Sequence, residues 1–195
     1  MTYEEIRDKL SESKVVIAGL GGLGSNIAMM LTRSGIGHLR LIDYDVVDES
    51  NLNRQLYTVE DIGKPKTEAL EEILMKINPK SHYDMINTKI TKDNVKELVE
   101  GFPIVCEAMD KAEVKSMFVQ EVLSNYSDTI VVSGNGMAGY KDANSISTKQ
   151  KMSRLYVCGD NTTGLEETKI MMAPKVMICA GHQASKIIEL LTDRS

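Results

Sequence analysis

A glycine-rich turn between an apolar strand and an amphipathic helix is the feature that most limits what this chain can fold into. Residues 15–18 are continuously apolar, which is typical of a strand buried on both faces of a parallel sheet. The next residues fit the pattern G-x-G-x-x-G, with one additional glycine, at Gly19, Gly21, Gly22 and Gly24. This spacing permits a tight turn, close approach of backbone to phosphate and close packing of the helix on the strand.

The helix after the turn and the strand that follows it extend this pattern to a nucleotide-binding unit. One face of the helix carries apolar and small residues at 3.6-residue spacing: Leu23, Ile27, Met30, Leu31 and Ser34. The N-terminus of such a helix presents N–H groups and the positive end of its dipole to an anion. A second apolar strand, residues 39–42, ends at Asp43, where folds of this kind place the carboxylate that accepts ribose hydroxyl groups. The alternative is a tight strand-to-helix turn that binds no ligand.

A long polar segment follows Asp43, whereas an ordinary dehydrogenase would continue directly into its next helix. The polar residues of interest in and after this segment are Asn51, Arg54, Gln55 and Lys66. Arg54 can donate two hydrogen bonds to phosphate oxygens, and Lys66 supplies a point charge at a helix start marked by Pro65. Two cations beside a glycine-rich turn fit a triphosphate better than a bridging pyrophosphate. The alternative for each cation is a solvated surface charge.

Three sequence motifs are specific in combination: GLGGLGS at the turn, LIDYDVVDESNLNRQ after the second strand, and GKPK before the next helix. Together they resemble the ThiF/MoeB/HesA family, the bacterial relatives of ubiquitin-activating enzymes, and most of all its short single-domain ThiF proteins. The resemblance implies an ATP- and magnesium-dependent adenylyltransferase. Its substrate would be the C-terminal glycine carboxylate of a small ubiquitin-like sulfur carrier resembling ThiS, in thiamine (thiazole) biosynthesis. The resemblance also implies a symmetric homodimer.

The resemblance assigns roles to residues of the turn and the polar segment. Asp43 corresponds to the ribose ligand. The phosphate-contacting catalytic residues correspond to Arg54 and Lys66, and the polar lining near the phosphates corresponds to Asn51 and Gln55. A C-terminal carboxylate is already ionised at pH 7, so its attack on the α-phosphate needs no general base. We therefore interpret all three histidines as structural: His38, His82 and His182.

Asp110 is the candidate catalytic and metal-binding carboxylate. It follows a predicted buried strand over residues 102–109, at the edge of the sheet where open α/β folds bind ligands. By resemblance it corresponds to the aspartate that holds magnesium in the family. The family usually has an asparagine next, whereas this chain has Lys111. From the residues alone, Asp110 could equally be the N-cap of a helix that begins at Lys111.

Length and composition limit the domain count, the partners and the cellular location that we expect for this chain. A chain of 195 residues predicts one domain, residues 1–195, and a net charge of −5 argues against non-specific binding to nucleic acid or an anionic membrane. No apolar run approaches the roughly 20 residues of a membrane span, and residues 1–13 do not resemble a signal peptide, so we expect a cytoplasmic protein. The three cysteines exclude both a disulfide framework and the two-CxxC zinc site of many family members. We therefore predict no structural zinc.

Alternating strands and helices with short connections predict an α/β fold, with a Rossmann-like, open, mainly parallel sheet and helices on both faces. Two late strands, residues 145–148 and 155–158, are expected to be antiparallel. The polar segment 159–172 is predicted to be a mobile loop that closes over the carrier's tail. Cys158 lies beside it and is a candidate functional thiol, with a structural half-buried cysteine as the alternative.

Two other functions remain open at this point. The glycine turn and Asp43 alone would permit a nicotinamide-dependent oxidoreductase. Two features argue against an oxidoreductase: no separate substrate domain is expected, and a polar segment follows Asp43. The second is a non-catalytic family member that holds a carrier's tail without turnover.

Overall fold

The computed structural model describes residues 1–163 and 170–193, and a sheet of seven strands forms its centre. The strands are β1 (Lys14–Ala18), β2 (His38–Asp43), β3 (His82–Asn87), β4 (Ile104–Glu107), β5 (Ile130–Gly134), β6 (Ser147–Met152) and β7 (Leu155–Gly159). The α-helices are α1 (Tyr3–Ser11), α2 (Gly22–Ser34), α3 (Lys66–Ile77), α4 (Val95–Val99), α5 (Ala112–Asn125) and α6 (Ala173–Asp193). Short 3-10 helices cover Glu49–Asn51, Val59–Asp61 and Ala143–Ser145.

The strands lie in the order β3-β2-β1-β4-β5-β7-β6. All neighbouring pairs are parallel except β6 and β7, which are antiparallel. The predicted open, mainly parallel sheet is therefore confirmed, and β6–β7 is the predicted late antiparallel pair, although β7 itself continues the parallel sheet. The chain builds outward from β1 to β3 and then returns to β4 on the other side of β1. This reversal opens a crevice at the carboxyl ends of β1 and β4.

Helices cover both faces of the sheet, which explains why β1 is apolar at every buried position. Val15 and Ile17 point into one hydrophobic core, formed with α2, α3 and α6. Val16 and Ala18 point into a second core, formed with α4 and α5. Successive side chains of a strand face opposite sides of its sheet, so a strand covered on both sides needs no polar face.

Several elements differ from the predicted ones at their ends. The strand predicted over 102–109 is shorter in the structure and covers only β4, because the chain turns at the sheet edge after Glu107. Helix α4 has Asn94 as its N-cap. No helix within residues 1–163 or 170–193 combines the length and apolarity needed to cross a membrane.

Two histidine rings meet edge to face at the amino ends of β2 and β3. His38 and His82 are register partners, and their ring centroids are 4.5 Å apart. Phe102 also packs against His38, with the ring centroids 5.0 Å apart. The buried Nε2 of His38 has no hydrogen-bond partner among the described residues. Burial, followed by the neighbouring His82, lowers the pKa of His38.

This pair predicts a loss of stability on acidification. In the unfolded chain His38 takes up a proton near its usual pKa of about 6.5, whereas the folded state resists protonation. The free energy of unfolding should therefore fall as the pH drops from about 6.5 through the lowered folded pKa, and then level off. Urea unfolding at a series of pH values measures this slope. His38→Gln should flatten it, and His82→Gln should flatten it in part; an unchanged slope in His38→Gln would contradict the assignment.

Candidate functional site

The glycine turn sits at the carboxyl end of β1, where two of its glycines are sterically required. Gly19 has a φ of +92°, and a Cβ there would lie 2.9 Å from the carbonyl oxygen of Ala108. A Cβ on Gly24 would lie 1.8 Å from the carbonyl oxygen of Gly19. No side chain of the described residues caps the first turn of α2, which begins directly after Gly21. The turn therefore leaves this helix N-terminus open to an anion.

Asp43 locks the turn to the end of β2. Its carboxylate accepts backbone N–H bonds from Leu20 at 2.7 Å, Tyr44 at 2.7 Å and Asp45 at 2.9 Å. The residue is only 9% exposed. A carboxylate offers about four acceptor positions, so one remains for a ribose hydroxyl group. The ribose role predicted for Asp43 is compatible with this geometry, but the sequence did not indicate its structural role.

The polar segment after Asp43 folds back onto the glycine turn and brings two of the predicted residues to it. A Cβ on Gly22 would lie 3.4 Å from Cγ of Arg54, and one on Gly21 would lie 3.7 Å from Nε2 of Gln55. The buried Oε1 of Gln55 has no hydrogen-bond partner within the part of the chain that the structure describes. An unpaired buried acceptor beside the turn is a position that a ligand donor or a water molecule can satisfy.

Arg54 keeps most of its donors available. Its Nη1 donates to the carbonyl oxygen of Ser50 at 2.9 Å and to the side chain of Asn53 at 2.7 Å. No carboxylate in residues 1–163 or 170–193 lies within ion-pair distance of it. Asn51 closes the short 3-10 helix before Arg54, because its side-chain oxygen accepts the N–H of Asp48. This contact gives Asn51 a local structural role beside the predicted one.

Lys66 is the first residue of α3, and its burial excludes the alternative of a solvated surface charge. Its side chain is 7% exposed, and its Nζ lies 3.0 Å from Oδ2 of Asp45, which is 49% exposed. Tyr57 lies between α3 and the glycine turn, and its hydroxyl donates to the carbonyl oxygen of Leu20 at 2.9 Å. The ammonium group of Lys66 is thus paired with a carboxylate that water can solvate, and the carbonyl oxygen of Lys66 lies 3.5 Å from the same Tyr57 hydroxyl.

Asp110 is exposed at the carboxyl edge of the sheet, between β4 and α5. The N-cap of α5 is Lys111, and no side chain of the described residues caps this helix. Asp110 is therefore not the N-cap, so the alternative drawn from the residues alone is excluded. No group of three or more potential metal ligands exists within the described ranges. Mg²⁺ is commonly bound through one or two carboxylates plus substrate phosphates, so a single exposed Asp110 fits Mg²⁺ delivered with ATP.

A partly buried ion pair between Glu107 and Lys115, on either side of Asp110 in the chain, was not predicted. Glu107 ends β4 with no exposed surface, and its carboxylate accepts hydrogen bonds from the ammonium group of Lys115, the hydroxyl of Ser133 and the N–H of Met109. Lys115, on the second turn of α5, also donates to the carbonyl oxygen of Gly134 at 2.8 Å. An acidic residue at the end of an otherwise apolar strand was the available sequence signal.

Cys158 is fully buried and fits the structural alternative. Its Sγ lies 3.4 Å from the hydroxyl of Thr148, which in turn lies 3.0 Å from Nδ1 of His182. Burial raises the pKa of the Cys158 thiol. A buried thiol with a raised pKa is a poor nucleophile, because the thiolate is the reactive form.

The predicted mobile loop is described only at its ends, since residues 164–169 lie outside the described residues. At its start, Asp160 accepts bonds from Thr163 and from Nζ of Lys175, the latter at 2.9 Å. Burial raises the pKa of Asp160, but these hydrogen bonds outweigh burial and hold it well below the usual range. The Asp160–Lys175 pair therefore joins the end of β7 to the first turn of α6.

Two known proteins show what this chain is similar to in sequence. It is 34% identical over 129 residues to the molybdopterin-synthase adenylyltransferase of Haemophilus influenzae, which covers 66% of this chain and 52% of that protein. It is 41% identical over 133 residues to ubiquitin-like modifier-activating enzyme 5 of Dictyostelium discoideum, which covers 62% of this chain and 34% of that protein. The chain thus matches only part of the length of each relative.

The fold is shared with a solved structure, and the sequence matches one family along its length. The E. coli tRNA N6-threonylcarbamoyladenosine dehydratase in complex with ATP superposes with a TM-score of 0.87 at 22% identity, over 97% of this chain and 89% of that one. The sequence model of the ThiF family matches residues 2–195. The glycine turn, the polar segment folded against it and this match lead to one conclusion: the chain belongs to the ThiF family.

Proposed function

We propose that this chain is an ATP-dependent adenylyltransferase that activates the C-terminal glycine carboxylate of a small ubiquitin-like sulfur carrier resembling ThiS. The observation that carries the proposal is Arg54 at the glycine turn. Its side chain lies against Gly22, the first residue of α2, whose N-terminus is open. The buried Lys66 supplies a second cation at the start of α3, where burying a lysine is costly. An open helix N-terminus together with two cations suits a triphosphate.

The proposed reaction joins the carrier's carboxylate to the α-phosphate of ATP and releases pyrophosphate. Two anions must meet, so the site has to neutralise phosphate charge and hold the reacting groups in line. Arg54 and Lys66 would contact the phosphates, with Asn51 and Gln55 lining the site beside them. Asp43 would orient the ribose. Asp110 would hold Mg²⁺, which supplies charge neutralisation at the phosphate oxygens when it is bound.

The relatives support the activity class more than the pathway. The names of the two similar proteins describe an adenylyltransferase and an enzyme that activates a ubiquitin-like modifier. Neither name contains thiamine, so thiamine (thiazole) biosynthesis is the part of the proposal that rests on resemblance alone. A homodimer and a cytoplasmic location likewise stay predictions.

Carrier-dependent exchange of pyrophosphate into ATP tests the proposal directly. The purified chain is offered ubiquitin-like carriers that end in glycine, including a ThiS-like and a molybdopterin-type carrier, and the pathway follows from the carrier that supports exchange. Exchange that requires a carrier and its terminal carboxylate is the expected result. ATP with Mg²⁺ should also raise the melting temperature, whereas NAD should not. Stabilisation by NAD alone would favour the oxidoreductase, and carrier binding without exchange would favour the non-catalytic alternative.

Arg54→Ala and Lys66→Ala are each expected to weaken ATP binding by about 1.5–3 kcal/mol, the usual worth of a charge-assisted hydrogen bond. Calorimetric titration with ATP and Mg²⁺ measures this. The matched control is Lys64→Ala, since Lys64 is a nearby, more exposed lysine that pairs with the exposed Glu72 and with the buried Asp61. Unchanged ATP affinity in both site variants would place these side chains outside the phosphate site.

A further inference from the structure

We propose that Glu107 and Lys115 form a positioning pair that fixes Asp110 for metal-assisted ATP binding, an inference that rests on the function proposed above. Neither residue would touch the substrate. They act through the backbone on both sides of Asp110. Glu107 bonds to the backbone immediately before Asp110, and Lys115 belongs to the helix that begins immediately after it.

The chain before Asp110 is held by the Glu107 side chain. One carboxylate oxygen of Glu107 accepts the N–H of Met109 at 2.8 Å, and the other accepts the hydroxyl of Ser133 and the ammonium group of Lys115. Because Glu107 has no exposed surface, its carboxylate is shut off from bulk solvent. The peptide that leads into Asp110 is therefore fixed by a carboxylate that is itself fixed.

The chain after Asp110 is held by the Lys115 side chain. Lys115 is on α5, and its backbone N–H donates to the carbonyl oxygen of Lys111 at 2.9 Å. Its Nζ donates to the carbonyl oxygen of Gly134 at the end of β5, at 2.8 Å, as well as to Glu107. The start of α5 is thus tied to the carboxyl ends of both β4 and β5. Asp110 lies in the short connection between two points that the same ion pair holds.

The same connection also contacts the glycine turn. The N–H of Ala108 donates to the carbonyl oxygen of Ala18 at 2.9 Å, and the carbonyl of Ala108 is the group that a Cβ on Gly19 would strike. If residues 108–110 shifted, they would therefore push against the turn at which the phosphates are proposed to bind. The pair sets the position of Asp110 relative to that turn.

A packing role alone does not require charges at this place. A buried ion pair is often no more stabilising than apolar side chains of the same volume. Its hydrogen bonds are directional, however, and an apolar pair could not hold the Met109 N–H and the Gly134 carbonyl at fixed positions. Groups that orient a metal ligand from behind typically change metal affinity or activity by about 10–100-fold when they are replaced.

The test measures how much Mg²⁺ tightens ATP binding, by calorimetry in MgCl₂ and in EDTA. In Lys115→Met this tightening should shrink by about tenfold or more, while binding in EDTA changes little. Lys115→Arg should restore most of it. Since Lys115→Met leaves a buried carboxylate without its cation, the double variant Glu107→Gln/Lys115→Met provides a neutral version without that penalty, and the same loss is expected from it.

Two further measurements separate positioning from a general loss of stability. The control Arg40→Leu breaks the Arg40–Asp84 pair on β2 and β3, away from the site, and should leave the tightening unchanged. In the ligand-free protein, hydrogen exchange of the Met109 amide should become faster in Lys115→Met and not in Arg40→Leu. Normal tightening by Mg²⁺ in both Lys115→Met and the double variant would overturn the positioning role and leave the proposed function standing. No tightening in the parent protein would overturn the metal assignment and the positioning role together.

Discussion

Asp110→Ala is expected to lower carrier-dependent exchange of pyrophosphate into ATP by at least about 100-fold, in line with the loss of a group that stabilises transition-state charge. Asp110 is exposed and contributes nothing to either hydrophobic core, so the melting temperature of the ligand-free protein should not fall. Exchange is measured at saturating carrier over a range of Mg²⁺ concentrations, which shows whether excess metal restores activity.

The matched control for this variant is Glu113→Ala. Glu113 is an exposed carboxylate in the first turn of α5, three residues further along the chain, and its loss should leave exchange unchanged. If Asp110→Ala retained exchange within about tenfold of the parent protein, Asp110 could not be the metal ligand, because even indirect partners of a metal usually cost that much.

Gly24→Ala is expected to produce the largest change in folding. The added Cβ would lie 1.8 Å from the carbonyl oxygen of Gly19, so the helix and the turn cannot keep their present separation. Overpacking of this kind costs typically about 1–3 kcal/mol and sometimes more, and here the displaced atoms belong to the turn that is proposed to bind phosphate. We expect a lower urea midpoint together with loss of ATP binding.

Gly181→Ala is the control, since Gly181 is also within an α-helix but a Cβ there would meet no atom within 4 Å. It should stabilise the protein by about 0.5–1 kcal/mol, because alanine restricts the unfolded chain more than glycine does. Gly24→Ala with parental stability and ATP affinity would show that α2 can move away from the turn without consequence.

The parts of the fold that could be predicted from the sequence are those set by local pattern. Residues 15–18 had to be a doubly covered strand, and the glycines after them had to form a tight turn into α2. The ends of elements were less predictable. The apolar run 102–109 continues past the point where β4 loses its sheet partners, because Ala108 and Met109 form the turn into the site instead.

The position of some candidate residues could be predicted from the sequence, whereas the contacts around them could not. Arg54 and Gln55 lie at the glycine turn, as expected, because the polar segment folds back onto it. The burial of Lys66 and the pairing of Glu107 with Lys115 were not predictable, since both depend on which strands and helices become neighbours. The sequence predicts that Glu107 lies within a strand over 102–109, and the packing of β5 and α5 decides which residues face it.

The three N–H bonds accepted by Asp43 have a thermodynamic consequence. In a site that is not already ordered, the surrounding dipoles must reorient when a ligand arrives. The free energy of this reorganisation subtracts from the binding affinity. Here the turn is already clamped to β2 in the ligand-free protein, through the bond from Leu20 to Asp43. The reorganisation has therefore been completed during folding. For the reaction proposed above, binding free energy that would otherwise order the turn would be left for drawing two anions together.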